Sequence, residues 1–206
     1  AVLYRKQARF KLITTGKINQ KNLLFEEQHL ERLEKASRYF SYPFDAEDLR
    51  QKIEEECQAC DVNQDYRLRI ILSKSGEMEL SRQILTPLSP IFCQAKLCLQ
   101  KADLQQAFTY FKTTHRPHLS LGKQEIIYHN AAGELLETSI GNLVLKIAGK
   151  LYTPPISLGV LPGIYRQHLL ERGQVEEKVL TVADLNQAET IYGCNAVRGL
   201  YELEVI

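Results

Sequence analysis

Leu136-Glu137-Thr138-Ser139-Ile140-Gly141-Asn142 runs on into Leu143-Val144-Leu145-Lys146-Ile147 and then meets Ala148-Gly149. An apolar, β-prone run bounded by a glycine turn predicts a strand over residues 137–147. Shorter runs of the same kind flank it. Ile126 to His129 precede it across the turn Ala131-Ala132-Gly133, and Lys150 to Thr153 follow. Farther on, Gly163 opens a short helix over residues 163–172 that Gly173 ends. Thr181-Val182-Ala183-Asp184 has the spacing of a capping box and starts another helix. Strands over 190–192 and 200–206 close a second half that is mostly β.

The first half is organised differently. Residues 25–39 repeat apolar positions at helical spacing, with Glu26, Glu27, Glu31 and Glu34 on other faces, and Tyr42-Pro43 stops the helix. Asp45 caps the next helix, with Asp48 placed to complete a capping box and Leu49, Ile53 and Cys57 on one stripe. Strands are expected over 10–18 with a turn at Gly16, over Tyr66–Leu72 before a Ser75-Gly76 turn, and over 90–99. The expected class is α+β: an N-terminal α/β two-layer domain with an antiparallel sheet over residues 1–105, and a mostly β C-terminal domain over 106–206. Residues 101–116 are part linker and part motif.

The 206 residues are 44% apolar, enough for a real core. Net charge is +1, from 26 basic and 25 acidic residues, which argues against a general nucleic-acid binder or a polybasic membrane anchor. No apolar run approaches the roughly 18 residues of a membrane span. Ala1-Val2-Leu3-Tyr4-Arg5-Lys6 lacks the pattern of a secretion signal. The expected location is the cytoplasm, where reduced thiols also fit the odd count of five cysteines. Cys57-Gln58-Ala59-Cys60 is a lone pair; zinc would need two more ligands at suitable spacing, and no second such pair supplies them.

Four segments carry chemistry. Phe111-Lys112-Thr113-Thr114-His115-Arg116 offers an amine, and Glu137 an acid ahead of Asn142. Leu161-Pro162-Gly163-Ile164-Tyr165-Arg166 offers free amides at a helix start, and His29-Leu30-Glu31-Arg32-Leu33 a guanidinium. Singly, each reads as a solvated lysine, an exposed strand carboxylate, a loop and the wet face of a helix. Their order and spacing, with Thr153-Pro154-Pro155 and Cys194-Asn195-Ala196, resembles the class IV aminotransferases, the fold-type IV pyridoxal-phosphate enzymes, from Phe10 onward. Within that family, four features resemble the 4-amino-4-deoxychorismate lyases, especially the lyase portion of fused synthase–lyase polypeptides. They are residues 33–45, Lys112 to Arg116, Leu170-Glu171-Arg172-Gly173 and Val197-Arg198-Gly199.

The resemblance implies a β-rich pseudo-barrel for the C-terminal domain and pyridoxal 5'-phosphate as cofactor, with a role for each segment. Lys112 would bind the cofactor's aldehyde and move the substrate proton, and Glu137 would face the pyridine nitrogen. Arg32, the backbone of Ile164 and Tyr165, and Asn195 and Ala196 would hold the phosphate, and Asn142 belongs to the same cofactor-binding set. Thr14 and Lys74 are candidate substrate contacts. Departures from the family pattern are Tyr165 where many relatives have Thr, Thr14-Thr15 where transaminases often have Glu-Thr, Lys74 where relatives often have Arg, and a largely missing family start. The implied reaction is conversion of 4-amino-4-deoxychorismate, a small molecule, to p-aminobenzoate and pyruvate. The alternatives are a class IV aminotransferase acting on branched-chain or D-amino acids and a non-catalytic subunit of the same fold. A homodimer and association with an aminodeoxychorismate synthase are also implied.

Overall fold

The computed structural model describes residues 10–100 and 107–206, which divide into two units. One runs through Thr86 and takes in Phe111–His115; the other takes Pro87–Tyr110 and Arg116–Ile206. The boundary expected at 105/106 and the chain start fall outside the described residues. The structure groups the residues from Pro87 with the second unit, and the lysine segment with the first, because residues 112–114 pair with a strand of that unit.

In the first unit, β1 (Leu12–Asn19), β2 (Asn22–Leu23), β3 (Tyr66–Leu72) and β4 (Met78–Ile84) form an antiparallel sheet in the order β2-β1-β3-β4. The expected turn at Gly16 is absent; Gly16 lies within β1, opposite Leu68. Its missing Cβ makes room, since a Cβ there would sit 2.6 Å from His29 Nε2. The chain turns instead at Gln20-Lys21, both at positive φ, as a two-residue type I′ hairpin requires. β4 escaped the sequence reading because Met-Glu-Leu-Ser-Arg-Gln-Ile alternates weakly and is nowhere fully buried.

Two helices, α1 (Glu26–Phe40) and α2 (Ala46–Gln58), follow the expected pattern. α1 buries His29, Leu30, Leu33, Ala36 and Ser37. It stops at Ser41, whose left-handed backbone lets Ser41 and Tyr42 return N–H bonds to the Ser37 carbonyl. Asp45 caps α2 by accepting from the N–H groups of Glu47 and Asp48, and α2 buries Leu49, Ile53 and Cys57. The Asp48 carboxylate does not close a box; it accepts from Lys52, one turn on, at 2.8 Å.

The second unit starts with α3 (Pro90–Cys93) and β5 (Gln94–Leu99), then α4 (Ala107–Tyr110). The single strand expected over 90–99 is thus a helical turn followed by a strand. The Ser89 side chain accepts the Phe92 N–H, and Pro90 sits where its missing donor costs nothing. β6 (Ile126–His129), β7 (Leu135–Thr138), β8 (Asn142–Ile147) and β9 (Lys150–Thr153) follow. The expected strand 137–147 is therefore two, folded at Ser139-Ile140-Gly141, where a Gly141 Cβ would lie 2.5 Å from the Cys194 carbonyl oxygen. α5 (Ile164–Glu171), β10 (Glu176–Glu177), α6 (Val182–Gln187), β11 (Thr190–Asn195) and β12 (Gly199–Val205) complete the unit. Thr181 and Asp184 form the expected capping box of α6.

The strands run β10-β9-β8-β11-β12-β5-β6-β7, and a further β7–β8 pairing closes six of them into a ring. This α+β arrangement, with a β-rich second unit closed on itself, is the expected class. β8 reads as a continuous apolar run because it is covered on both faces. Leu143 and Leu145 join Ala95, Ile127, Leu135 and Leu203, whereas Val144 joins Cys194, Leu169 of α5 and Val175. Among the described residues no helix is long and apolar enough to cross a membrane. Cys57 and Cys60 are buried free thiols, and burial pushes the Cys57 thiol up to about 11.

Candidate active site

The predicted residues fall into two groups, one on each unit. On the first, Lys112 is held as if it began an extra strand. Its carbonyl accepts the Ile13 N–H at 3.0 Å, Thr114 N–H donates to the Lys11 carbonyl at 2.9 Å, and Leu12 bridges Thr113 in antiparallel fashion. The Thr113 hydroxyl donates to the His115 carbonyl at 2.8 Å and folds the segment back. Before the lysine, Phe111 stacks on Tyr39 at 4.6 Å between ring centres and meets Phe40 edge-on at 5.3 Å. Backbone bonds on one side and α1 aromatics on the other fix where the lysine leaves the chain.

His29 lies beside it. The imidazole is fully buried, its Nδ1 is 2.6 Å from the Thr14 hydroxyl, and its Nε2 has no hydrogen-bond partner. Burial first, then the positive charges of Arg32 and Lys112, pull its pKa down to about 3. His29 is therefore neutral, and two cationic side chains converge on it. Arg32 follows His29 by three residues on α1, so both belong to one face. Thr14, His29, Arg32 and Lys112 form one cluster. Lys74 does not join it; it is an exposed residue of the β3–β4 turn.

On the second unit Glu137 sits in β7, 2% exposed, with Arg116 Nη2 3.3 and 3.4 Å from its two oxygens and His118 Nε2 4.0 Å away. The pairing with Arg116 was not legible in the sequence, where the two residues are 21 apart and only the motif around Lys112 draws attention to Arg116. Asn142, the first residue of β8, is buried and donates to the Leu161 carbonyl at 2.8 Å. A Cβ on Gly163 would run into its side-chain oxygen, so the glycine lets Asn142 reach the approach to α5. The first helical bond of α5 is Gln167 N–H to the Gly163 carbonyl, 2.9 Å, so the N–H groups of Ile164 and Tyr165 precede any acceptor within the helix.

Gly199, at φ +67°, admits Tyr165, since its Cβ would be 3.3 Å from the phenol oxygen. The start of α5 thus meets the 196–198 turn between β11 and β12. Asn195 shapes that turn: its side-chain oxygen accepts from Val197 and Arg198 N–H at 3.0 and 2.9 Å, and its amide donates to the Ile140 carbonyl at 3.3 Å. Ala196 is buried beside it. Arg166, also in the motif, points elsewhere and holds the Pro154 carbonyl at 2.9 Å and the Glu177 carboxylate.

The donor chemistry fits a phosphorylated aldehyde with a basic ring nitrogen. A helix start whose approach is kept clear of a Cβ suits a dianion, a buried carboxylate suits a ring N–H, and a lysine set by strand pairing suits the aldehyde.

The family model for class IV amino-transferases matches residues 11–206. Aminodeoxychorismate lyase of Saccharomyces cerevisiae is 25% identical over 187 residues, covering 65% of this chain and 50% of that protein. A Thermotoga maritima protein described as a branched-chain-amino-acid aminotransferase is 32% identical over 92 residues, covering 39% of this chain and 34% of its own. The chain thus spans at most half the length of these two relatives. A crystal structure described as an amino-acid aminotransferase from Mesorhizobium loti superposes with a TM-score of 0.83 at 26% identity, covering 96% of this chain and all of that one.

Proposed function

This chain belongs to the class IV aminotransferase family, and from that premise we propose that it binds pyridoxal 5'-phosphate through Lys112 and acts as an aminodeoxychorismate lyase. The observation that carries the proposal is the backbone pairing of residues 112–114 with β1, which delivers the lysine beside a buried, neutral histidine. The cofactor, when bound, supplies an electron sink conjugated to the substrate nitrogen. Everything else falls to the chain. Glu137 accepts the ring N–H, and Arg32 with the N–H groups of Ile164 and Tyr165 takes the phosphate. Asn142 and Asn195 hold the approaches to that cradle rather than reaching out of it. The Lys112 amine takes the proton from the substrate carbon that bears nitrogen. It returns a proton to the departing three-carbon fragment, leaving an aromatic amino acid and pyruvate. Aromatisation drives that elimination, so the protein's task is positioning and exclusion of water.

A second reading, amino-group transfer from branched-chain or D-amino acids, is favoured by the likeness to the Mesorhizobium loti and Thermotoga maritima proteins. In it, Lys112 would hold and return the same proton, and the cofactor would supply the acceptor of the amino group. Support for the lyase is the 187-residue match to the Saccharomyces cerevisiae enzyme and Thr14-Thr15 in β1. The deciding experiment supplies 4-amino-4-deoxychorismate, D-alanine and branched-chain amino acids to the purified protein. Formation of p-aminobenzoate supports the lyase; turnover that needs a keto acid and yields no p-aminobenzoate reverses the choice. Borohydride reduction with the cofactor present should mark Lys112 alone. A homodimer, testable by sedimentation, and association with an aminodeoxychorismate synthase belong to the same proposal.

A further inference from the structure

Glu125 is a carboxylate that the proposed reaction does not use. It lies immediately before β6 and is fully buried. A carboxylate in that position is costly unless its oxygens are satisfied, and they are. One oxygen accepts the Ser139 N–H at 2.9 Å, the Ile126 N–H at 3.2 Å and the Ser139 hydroxyl; the other accepts the Tyr201 hydroxyl at 3.0 Å. Tyr201 comes from β12 and reaches this place because two neighbours lack side chains. A Cβ on Gly193 would lie 2.5 Å from the phenol oxygen, and one on Gly141 would lie 3.0 Å from it. Burial, and then the Glu125 charge, hold the Tyr201 phenol well above its ordinary value, so it remains a donor.

Ser139, which supplies two of the four donors, belongs to the segment that carries Glu137 and Asn142, the side chains assigned above to the cofactor. Ser139 is the first residue of the turn between β7 and β8, two residues after Glu137 and three before Asn142. That turn is locked by Thr138 N–H to the Gly141 carbonyl at 2.8 Å and by Gly141 N–H to the Thr138 hydroxyl at 3.0 Å. Ile140, its centre, receives the Asn195 amide. One buried carboxylate therefore ties β6, the β7–β8 turn and β12 at a single point.

We propose that Glu125, acting through Ser139 and Tyr201, is a positioning residue that sets Glu137, Asn142 and Asn195 in place for the cofactor before it binds. This rests on the cofactor reading above. Its test is the affinity of the protein for pyridoxal 5'-phosphate, followed by the absorbance of the bound cofactor, for wild type, Ser139→Ala and Tyr201→Phe. Ile53→Ala, in α2 of the other unit, is the control for a general loss of stability. The two network variants should bind about tenfold more weakly, with Ile53→Ala near wild type despite a lower melting temperature. The ring-nitrogen signal of 15N-labelled cofactor should also shift in the network variants.

Equal affinity in folded Ser139→Ala and Tyr201→Phe overturns the proposal. If either fails to fold, Glu125→Gln decides. It can still accept from Ser139 and donate to Tyr201, so it should fold and bind severalfold more weakly, and wild-type affinity in it also overturns the proposal. A wild type that does not take up the cofactor overturns the cofactor reading, and this inference with it. A wild type that binds while every variant matches it overturns this inference alone.

Discussion

The two groups of site residues are built on opposite plans. On the first unit, charge is set by burial: two cationic side chains converge on a neutral imidazole whose Nε2 has no hydrogen-bond partner. On the second, three polar side chains are tied to backbone, Asn142 to the Leu161 carbonyl, Asn195 to the Ile140 carbonyl and its own turn, and Glu125 to the N–H groups of Ser139 and Ile126. The first plan suits a lysine whose amine must change partners during a reaction. The second suits a cradle that should not move. The contrast implies that substitutions in the first group act on chemistry and pH response, and those in the second on cofactor retention and stability.

The largest effect should follow Lys112→Ala. Removing the amine abolishes covalent capture of the cofactor and the proton-transfer group together, with a loss of about a thousandfold or more in turnover. Because Lys112 is anchored by its backbone and by Phe111, the fold should survive. Borohydride labelling and steady-state assays on the same preparation check both halves. Residual labelling at another lysine would sink the assignment.

Glu137→Ala should come next, and it separates the two plans because it acts on the second unit. It leaves the sheltered Arg116 guanidinium facing an empty site, a loss of about 3 kcal/mol in urea unfolding. Glu137→Gln keeps the shape and should cost less stability but about a hundredfold in activity, because the ring nitrogen loses the carboxylate that would keep it protonated. A much smaller loss in Glu137→Ala would mean that Arg116 finds another partner.

His29 provides the pH test of the first plan. Its folded pKa of about 3 lies below the ordinary 6.5, so between those values the unfolded chain binds a proton that the folded chain does not. Stability is therefore full above about pH 6.5 and falls as pH drops through the window, by about 1.4 kcal/mol per pH unit at most. From pH 6.5 to 5 the wild type should lose about 1.6 kcal/mol to this group, and His29→Asn should lose correspondingly less. Parallel urea curves at the two pH values measure it; an unchanged slope in the variant would place the titration elsewhere.

What could be foreseen follows the same division. The motif residues on elements with strong local signals, Arg32 on an amphipathic helix and Ile164 after a glycine, fell where their spacing put them. The turn at Gln20-Lys21 was hidden because it uses neither glycine nor asparagine, and Gly16 misled because its reason is a histidine thirteen residues away. The break at Ser139–Gly141 was masked by apolar residues on both sides of it. Arg116 and Glu125 owe their roles to partners 21, 14 and 76 residues distant, which no local pattern encodes. Lys74 had the opposite fault: a motif position with nothing in the fold to bring it inward.

The smallest expected effect tests whether the two units respond independently. Asp45 caps α2 on the first and Thr181 caps α6 on the second, and each side chain accepts backbone N–H bonds that water would otherwise have to satisfy. Asp45→Ala and Thr181→Ala should each cost about 1 kcal/mol. Neither cap touches the site clusters, so cofactor affinity should stay within twofold of wild type in both. Amide exchange locates the loss: faster exchange confined to α2 and β4 in the first variant, and to α6 and β8 in the second, means that each unit carries its own stability. Spread of either effect through the whole chain would mean that they unfold as one body, and that the contrast between the two plans describes local chemistry rather than separate folding units.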